Sequence, residues 1–193
     1  MGRPKTIDRQ GVLDAAESVI ATDGAGGLTF EAVAKAAGVT KGGVQSCFGT
    51  KEALIEALLE RWGTTYDADV ARLAGPGATA EARVHAHIQT TAQADDSSSA
   101  RSAALVATLL QSPQHLQWVR KWYAARFSEL DAVDEPAALN ARLAFLATEG
   151  LFFLRHFGLM PMSRQAWDRS FADIEHLVTT KRIRRTVKKK VRS

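Results

Sequence analysis

A chain of 193 residues with 46% hydrophobic and 24% charged residues is long and apolar enough for a real core; collagen and wholesale disorder are excluded, and a disulfide scaffold too, because Cys47 is the only cysteine. The net charge of +4 and the pI of 9.4 belong to the last thirteen residues, which hold eight of the 25 Lys and Arg and no acid, so that the rest of the chain stands at −4. DNA binding therefore has to be argued from local arrangement and not from overall charge.

No β-branched alternation is long enough to compete with helical periodicity, and the chain reads as all-α with about nine helices. The first helix carries Val12, Ala15, Ala16, Val19 and Ile20 on one face and stops at Asp23-Gly24. Thr29 caps a second that runs to Ala37 and ends at Gly38; Thr40 caps a short third to about Phe48. Thr50 caps a fourth, with Leu54, Ile55, Leu58, Leu59, Trp62 and Tyr66, that lasts until Gly75-Pro76-Gly77. A fifth helix covers about 79 to 94 with Val84, Ile88 and Thr91 inward. The run Asp95 to Ser99 reads as a polar turn capping a sixth helix over about 100 to 111. Ser112-Pro113 reads as the N-cap and first position of a seventh, with Leu116, Val119, Tyr123, Phe127 and Leu130 on one side and Trp118 and Trp122 on another. The eighth (about 136 to 158) and ninth (about 163 to 180) show alternating four and three spacing: Leu139, Leu143, Leu146, Gly150, Phe153 and Phe157, then Trp167, Phe171, Ile174 and Val178. That spacing marks a bundle seam.

Function concentrates in the second and third helices. Ala34 allows them to approach, Gly38 takes the left-handed turn, and Val44 anchors the second of the pair: the needs of a helix-turn-helix. Thr40, Lys41, Gly42 and Gly43 then gather donors at the start of the third helix, which an ordinary helical hairpin has no reason to do. The stretches Val12-Leu-Asp-Ala-Ala16, Leu28 to Gly42 and Phe48-Gly-Thr-Lys-Glu-Ala-Leu54 resemble the tetracycline-repressor (TetR) family of bacterial regulators over about the first 62 residues. The resemblance implies a homodimer in which each third helix reads a major groove, the last two helices form the dimer, and a small molecule in the C-terminal domain releases DNA. The expected division is a helix-turn-helix domain over 1–50, a helical ligand-binding and dimerisation domain over 51–180, and a basic tail over 181–193. Gln45 and Cys47 stand where the family often has tyrosines, and Gly43 where it often has threonine, so phosphate contacts by those tyrosines do not carry over.

Lys41 and Lys51 sit at helix starts, where ammonium and free N–H groups together favour phosphate. The Gln45 amide matches the adenine edge, and Ser46 reaches base or phosphate. Thr29 and Thr40 are expected to cap first and to touch phosphate second, and Arg3 and Lys5 form either a minor-groove arm or an unordered terminus. Cys47 reads as a small packing residue. The basic tail spaces Ile183, Val187 and Val191 four apart, yet reads better as a solvated tail than as an extension of the ninth helix.

In the C-terminal part Trp62, Tyr66, Leu109, Trp118, Trp122, Phe152 and Phe153 are candidates to hold a mainly apolar or aromatic effector, with core packing as the alternative for each. Glu149 interrupts the most apolar helix and needs a partner: a cationic or hydroxylated ligand, Arg120, Arg126, or a histidine of a neighbouring helix. His85 and His87 lie on different helical faces with no Cys or carboxylate cluster beside them, so no metal and no cofactor is expected. Nothing supplies a nucleophile with its base or a glycine-rich phosphate loop, which argues against an enzyme. A single thiol, no apolar signal core after Met1, and a longest apolar stretch (Leu143 to Leu154) too short to span a bilayer point to the cytoplasm. The expected function is a ligand-responsive repressor that binds a palindromic operator as a homodimer; the alternative is a DNA-binding factor without a small-molecule ligand.

Overall fold

Hydroxyl and carboxylate caps set most of the helix starts. The computed structural model describes residues 7–111, 113–131 and 136–179, and among them the chain forms nine α-helices and one 3₁₀ turn. Helix α1 spans Arg9–Gly27, and Asp8 caps it by accepting from the Gln10 N–H at 3.0 Å. Gly24, at φ +71°, breaks this helix where the sequence places its end, and one more turn follows to Gly27. Helices α2 (Phe30–Ala37), α3 (Lys41–Phe48), α4 (Lys51–Ala74) and α5 (Ala80–Gln93) start behind Thr29, Thr40, Thr50 and Thr79, each of whose hydroxyls accepts from the N–H three residues on. Gly38, at φ +64°, makes the left-handed turn between α2 and α3.

Two later boundaries depart from the sequence reading. Helix α6 spans Asp96–Leu109 and so starts about four residues early: Asp95 alone is the cap, accepting from the Ser98 N–H at 2.8 Å, and the serines form the first turn. Pro113–Leu116 is a 3₁₀ turn, and α7 begins at Gln117 and runs to Asp131; Ser112 lies outside the described residues. Helices α8 (Pro136–His156) and α9 (Arg164–Thr179) fall where the sequence places them.

Two cores organise the chain. The first joins α1, α2, α3 and the first half of α4 through Leu13, Ile20, Val33, Val44, Ile55 and Leu58, and it takes in Leu105 and Leu109 of α6 and Leu116. The second joins α5, α7, α8 and α9 through Ile88, Leu130, Phe145, Trp167, Phe171 and Ile174. Each such side chain contributes about 1.5–3 kcal/mol by leaving water. Helix α4 therefore runs out of the first core and past the second, where Tyr66 bonds α5.

The two expected seams behave differently. Along α8 and at Phe157 just beyond its end, Leu139, Leu143, Leu146 and Phe157 are 36–52% exposed, and Gly150 is exposed with open space over it, so an apolar stripe faces outward. On α9 the expected interface residues Trp167, Phe171 and Ile174 are at most 8% exposed; they pack into the chain's own second core, with Val178 against it, because α9 lies on α5 and α8. Trp167 even donates its indole N–H to the Ala92 carbonyl at 3.1 Å. These four thus pack within the protomer and do not form the expected interface. The basic tail, and with it Ile183, Val187 and Val191, lies outside the described residues. Among the described residues no helix is long and apolar enough to cross a membrane.

Candidate functional site

Helix α3 presents Lys41, Gly42, Gln45 and Ser46 to solvent, while Val44 and Phe48 turn into the first core. Thr40 and Thr29 are exposed, but their hydroxyls accept from Gly43 N–H and Ala32 N–H, both at 3.1 Å, so capping is their observed work. Lys41 Nζ lies 3.9 Å from Glu31 Oε2 with both side chains exposed, an ion pair worth little and easily exchanged for a phosphate. Lys51 is half-buried at the start of α4. Gly43 is corrected: it is buried, its N–H is taken by Thr40, and a Cβ there would run into Ile7, so it is a packing glycine and not a free donor. Arg3 and Lys5 lie outside the described residues.

Between the two cores lies a cavity of about 770 Å³. Its walls include Trp62, Tyr66, Trp118, Trp122, Phe152, Phe153 and Glu149, seven of the eight candidates drawn from the sequence. The eighth, Leu109, is corrected: it is fully buried in the first core, because α6 turns that face toward α1 and α4. Ring centroids of Tyr66 and Trp122 lie 6.0 Å apart, of Trp118 and Trp122 6.4 Å, and of Phe152 and Phe153 5.3 Å, so the wall offers tilted and edge-on faces for a second aromatic system. The Arg126 guanidinium lies over the Trp122 ring at 3.3 Å and pairs with Asp67, to which the Trp122 indole also donates at 3.1 Å. That locks one wall.

Glu149 finds a histidine and a phenol. Its Oε2 accepts from the Tyr123 hydroxyl at 2.5 Å, and Oε1 lies 3.0 Å from His87 Nε2, with the two side chains 16% and 5% exposed. His87 Nδ1 in turn lies 2.7 Å from the Tyr66 hydroxyl, which also touches Thr91 Oγ1 at 2.7 Å. Burial pushes the Tyr66 hydroxyl far up, and burial with the Glu149 charge does the same to Tyr123, so both remain neutral donors. Arg126 is committed to Asp67, and Arg120 is exposed outside the cavity wall.

Several wall residues are not marked as cavity residues by the sequence. His87, Thr91 and Tyr123 sit at ordinary helical positions and gain meaning only when α5, α7 and α8 converge. Helix α1 contributes Asp14, Glu17, Ser18 and Ala21 to the same wall. Glu17 accepts from Trp62 Nε1 at 2.5 Å and from Arg61 Nε at 3.0 Å, and Arg61 reaches Asp14 at 2.7 Å, so a helix of the first core is bonded directly to a cavity aromatic. Gly63 permits the approach of Trp118, whose ring a Cβ there would strike.

Comparison with known proteins agrees with this layout. The family described as bacterial regulatory proteins, tetR family, matches residues 12–58, and the tetracyclin repressor-like C-terminal domain matches 81–179. A transcriptional regulator from Rhodococcus sp. Rha1 superposes with TM-score 0.68 at 20% identity, over 89% of this chain and 96% of that one. The multidrug binding protein EbrR complexed with imidazole gives 0.67 at 20% identity over 93% and 98%, and EbrR complexed with ethidium gives 0.64 at 21% over 90% and 99%. No curated protein matches the sequence.

Proposed function

The chain belongs to the TetR family of bacterial transcriptional regulators, and on that premise we propose that it is a cytoplasmic homodimeric repressor released from its operator by a lipophilic aromatic cation. The carrying observation is the aromatic cavity of about 770 Å³ whose partly buried carboxylate, Glu149, is met by an imidazole and a phenol and by no guanidinium or ammonium among the described residues. Rings on several sides supply area and stacking, and a carboxylate in low dielectric favours a positive ligand over a neutral one. EbrR, a relative in fold, has been solved with ethidium, which supports this class of effector.

In this reading residues 1–50 carry the helix-turn-helix and 51–180 the effector and dimer surfaces. The outward α8 stripe of Leu139, Leu143, Leu146, Gly150 and Phe157 pairs with its symmetry mate, while Phe153 serves the cavity. Thr40, Lys41, Gly42 and Lys51 position the protein on phosphates, and Gln45 with Ser46 reads bases. Helix α4 starts against α3 at Thr50 and brings Trp62 and Tyr66 to the cavity, and α1 reaches the same cavity through Glu17, so a ligand that shifts Trp62 shifts both. Half-sites on DNA lie about 34 Å apart, and a changed separation of the two α3 helices no longer fits them.

The DNA surface is tested with an operator selected from a random duplex pool. Gln45→Ala should relax preference at one position of each half-site by about 1–3 kcal/mol, whereas Lys41→Ala should weaken all sequences alike and flatten the salt slope by about one. Unchanged binding in both variants would place the reading surface elsewhere.

A further inference from the structure

Glu149 has a counterpart of opposite charge on the cavity wall. The histidine aside, four side chains that line the cavity are ionic: the acids Asp14, Glu17 and Glu149, and Arg101 of α6. Asp14 and Glu17 are bound by Arg61, and Glu149 is met by His87 and Tyr123. Arg101 is half-buried and has no ion pair among the described residues; its guanidinium donates from Nη2 to Ser98 Oγ at 2.9 Å and makes no other hydrogen bond among them. The acids at the start of its own helix are engaged elsewhere. Asp95 is exposed and accepts from Ser97 Oγ and the Ser98 N–H, and Asp96 pairs with Arg155.

Beside Arg101 the wall is hydroxylated, with Ser98, Ser99 and Ser102 all lining the cavity. Ser18, Thr22, Thr90 and Thr108 return their hydroxyl protons to the carbonyl four residues back, as helical hydroxyls commonly do. Those of Ser99 and Ser102 make no such bond, nor any other among the described residues, although Ser99 is only 8% exposed. A buried hydroxyl without a partner is uncommon in a folded protein. One side of α6 thus offers the cavity a guanidinium and two uncommitted hydroxyls. Arg101 and Glu149 do not pair with each other. It is Arg155, about 9 Å further along α8 than Glu149, that reaches Asp96 at the start of α6, so the cavity holds a negative group and a positive group held apart.

Resting on the reading of the cavity as a cation site, we propose that its effector is dipolar: an aromatic cation that also carries a carboxylate, with its positive end at Glu149 and its carboxylate at Arg101 and the Ser99 and Ser102 hydroxyls. A guanidinium always carries its charge and presents N–H donors in a planar fork that matches a carboxylate. The Ser98 bond occupies one of those donors and leaves others for the ligand. A cation with an apolar tail satisfies Glu149 alone, and a neutral aromatic satisfies neither end. Glu149 therefore selects for positive charge, and Arg101 selects among cations.

The experiment is calorimetric titration of the full-length protein with two permanent cations that differ only at one end, (4-carboxybutyl)triphenylphosphonium and pentyltriphenylphosphonium. At about pH 7.5 the alkyl carboxylate is ionised, and its flexible tether lets it find the guanidinium. In Arg101→Gln the affinity ratio of the first compound to the second should fall by about tenfold, because a charge-assisted hydrogen bond is lost, while the pentyl compound keeps its affinity within about twofold. Glu149→Gln should weaken both compounds by about tenfold and leave their ratio as it was, since the phosphonium is common to the two. A ratio that stays within about twofold of wild type in Arg101→Gln, whether that variant binds as before or weakens both compounds alike, overturns the Arg101 subsite and leaves the cavity reading standing. Failure of both compounds to bind the wild-type protein overturns the two together.

Discussion

Leu58→Ala should lower the unfolding free energy by about 2–5 kcal/mol, the range for removing a fully buried leucine and leaving a cavity. Leu58 is 0% exposed, and it lies in the first core one turn before Trp62 on α4. The core it serves holds α1, α2, α3 and the end of α6 together, so collapse around the missing side chain would have to move several helices at once. Urea unfolding at fixed protomer concentration measures the effect, since the stability of the proposed dimer would depend on concentration. A loss below about 0.5 kcal/mol, the size expected of a surface change, would mean that α4 is not packed as described.

Leu143→Glu combined with Leu146→Glu should yield monomers and weaken operator binding by about 10²–10⁴, because each half-site is then bound without the gain from a linked second one. The two leucines are 49% and 52% exposed on one face of α8, and contribute little to the folded protomer in that position. Two carboxylates brought against their symmetry copies would be desolvated and repel. Light scattering and operator titration read the two effects separately. A double variant that remains dimeric at micromolar concentration would remove the α8 stripe from the interface. A charge at Ile174 would not make this test, because that side chain is buried within its own chain and would disturb the fold instead.

Local rules account for what the sequence revealed. Threonine caps and glycines with φ above zero set helix ends within a few residues, and these are short-range chemistry: Thr29, Thr40 and Thr50 cap, and Gly38 turns, as their residue types require. The start of α6 differs from the sequence reading because Asp95 to Ser99 carry both turn and first-turn character, and only the Asp95 bond to the Ser98 N–H decides between them. The α9 stripe has the same spacing as the α8 stripe, yet one is core and the other surface; periodicity reports an apolar face but not what covers it. Leu109 and Gly43 failed as site residues for a related reason, since burial against α1 or Ile7 is a tertiary fact. Glu149 was legible as a carboxylate in need of a partner. Its partners, His87 on α5 and Tyr123 on α7, lie 62 and 26 residues away and come together only through packing.

In the proposed function the cavity and the α3 surface are coupled through α4 and α1. Calorimetric affinity for tetraphenylphosphonium, with and without saturating operator duplex, tests it most directly, because linkage requires ligand and operator to weaken each other by one common factor. A coupling of about 1–3 kcal/mol predicts that operator lowers the ligand affinity about 5–150-fold and that ligand lowers operator affinity by the same factor. Equal ligand affinities in the presence and absence of operator would contradict release by this route, however tightly the ligand binds.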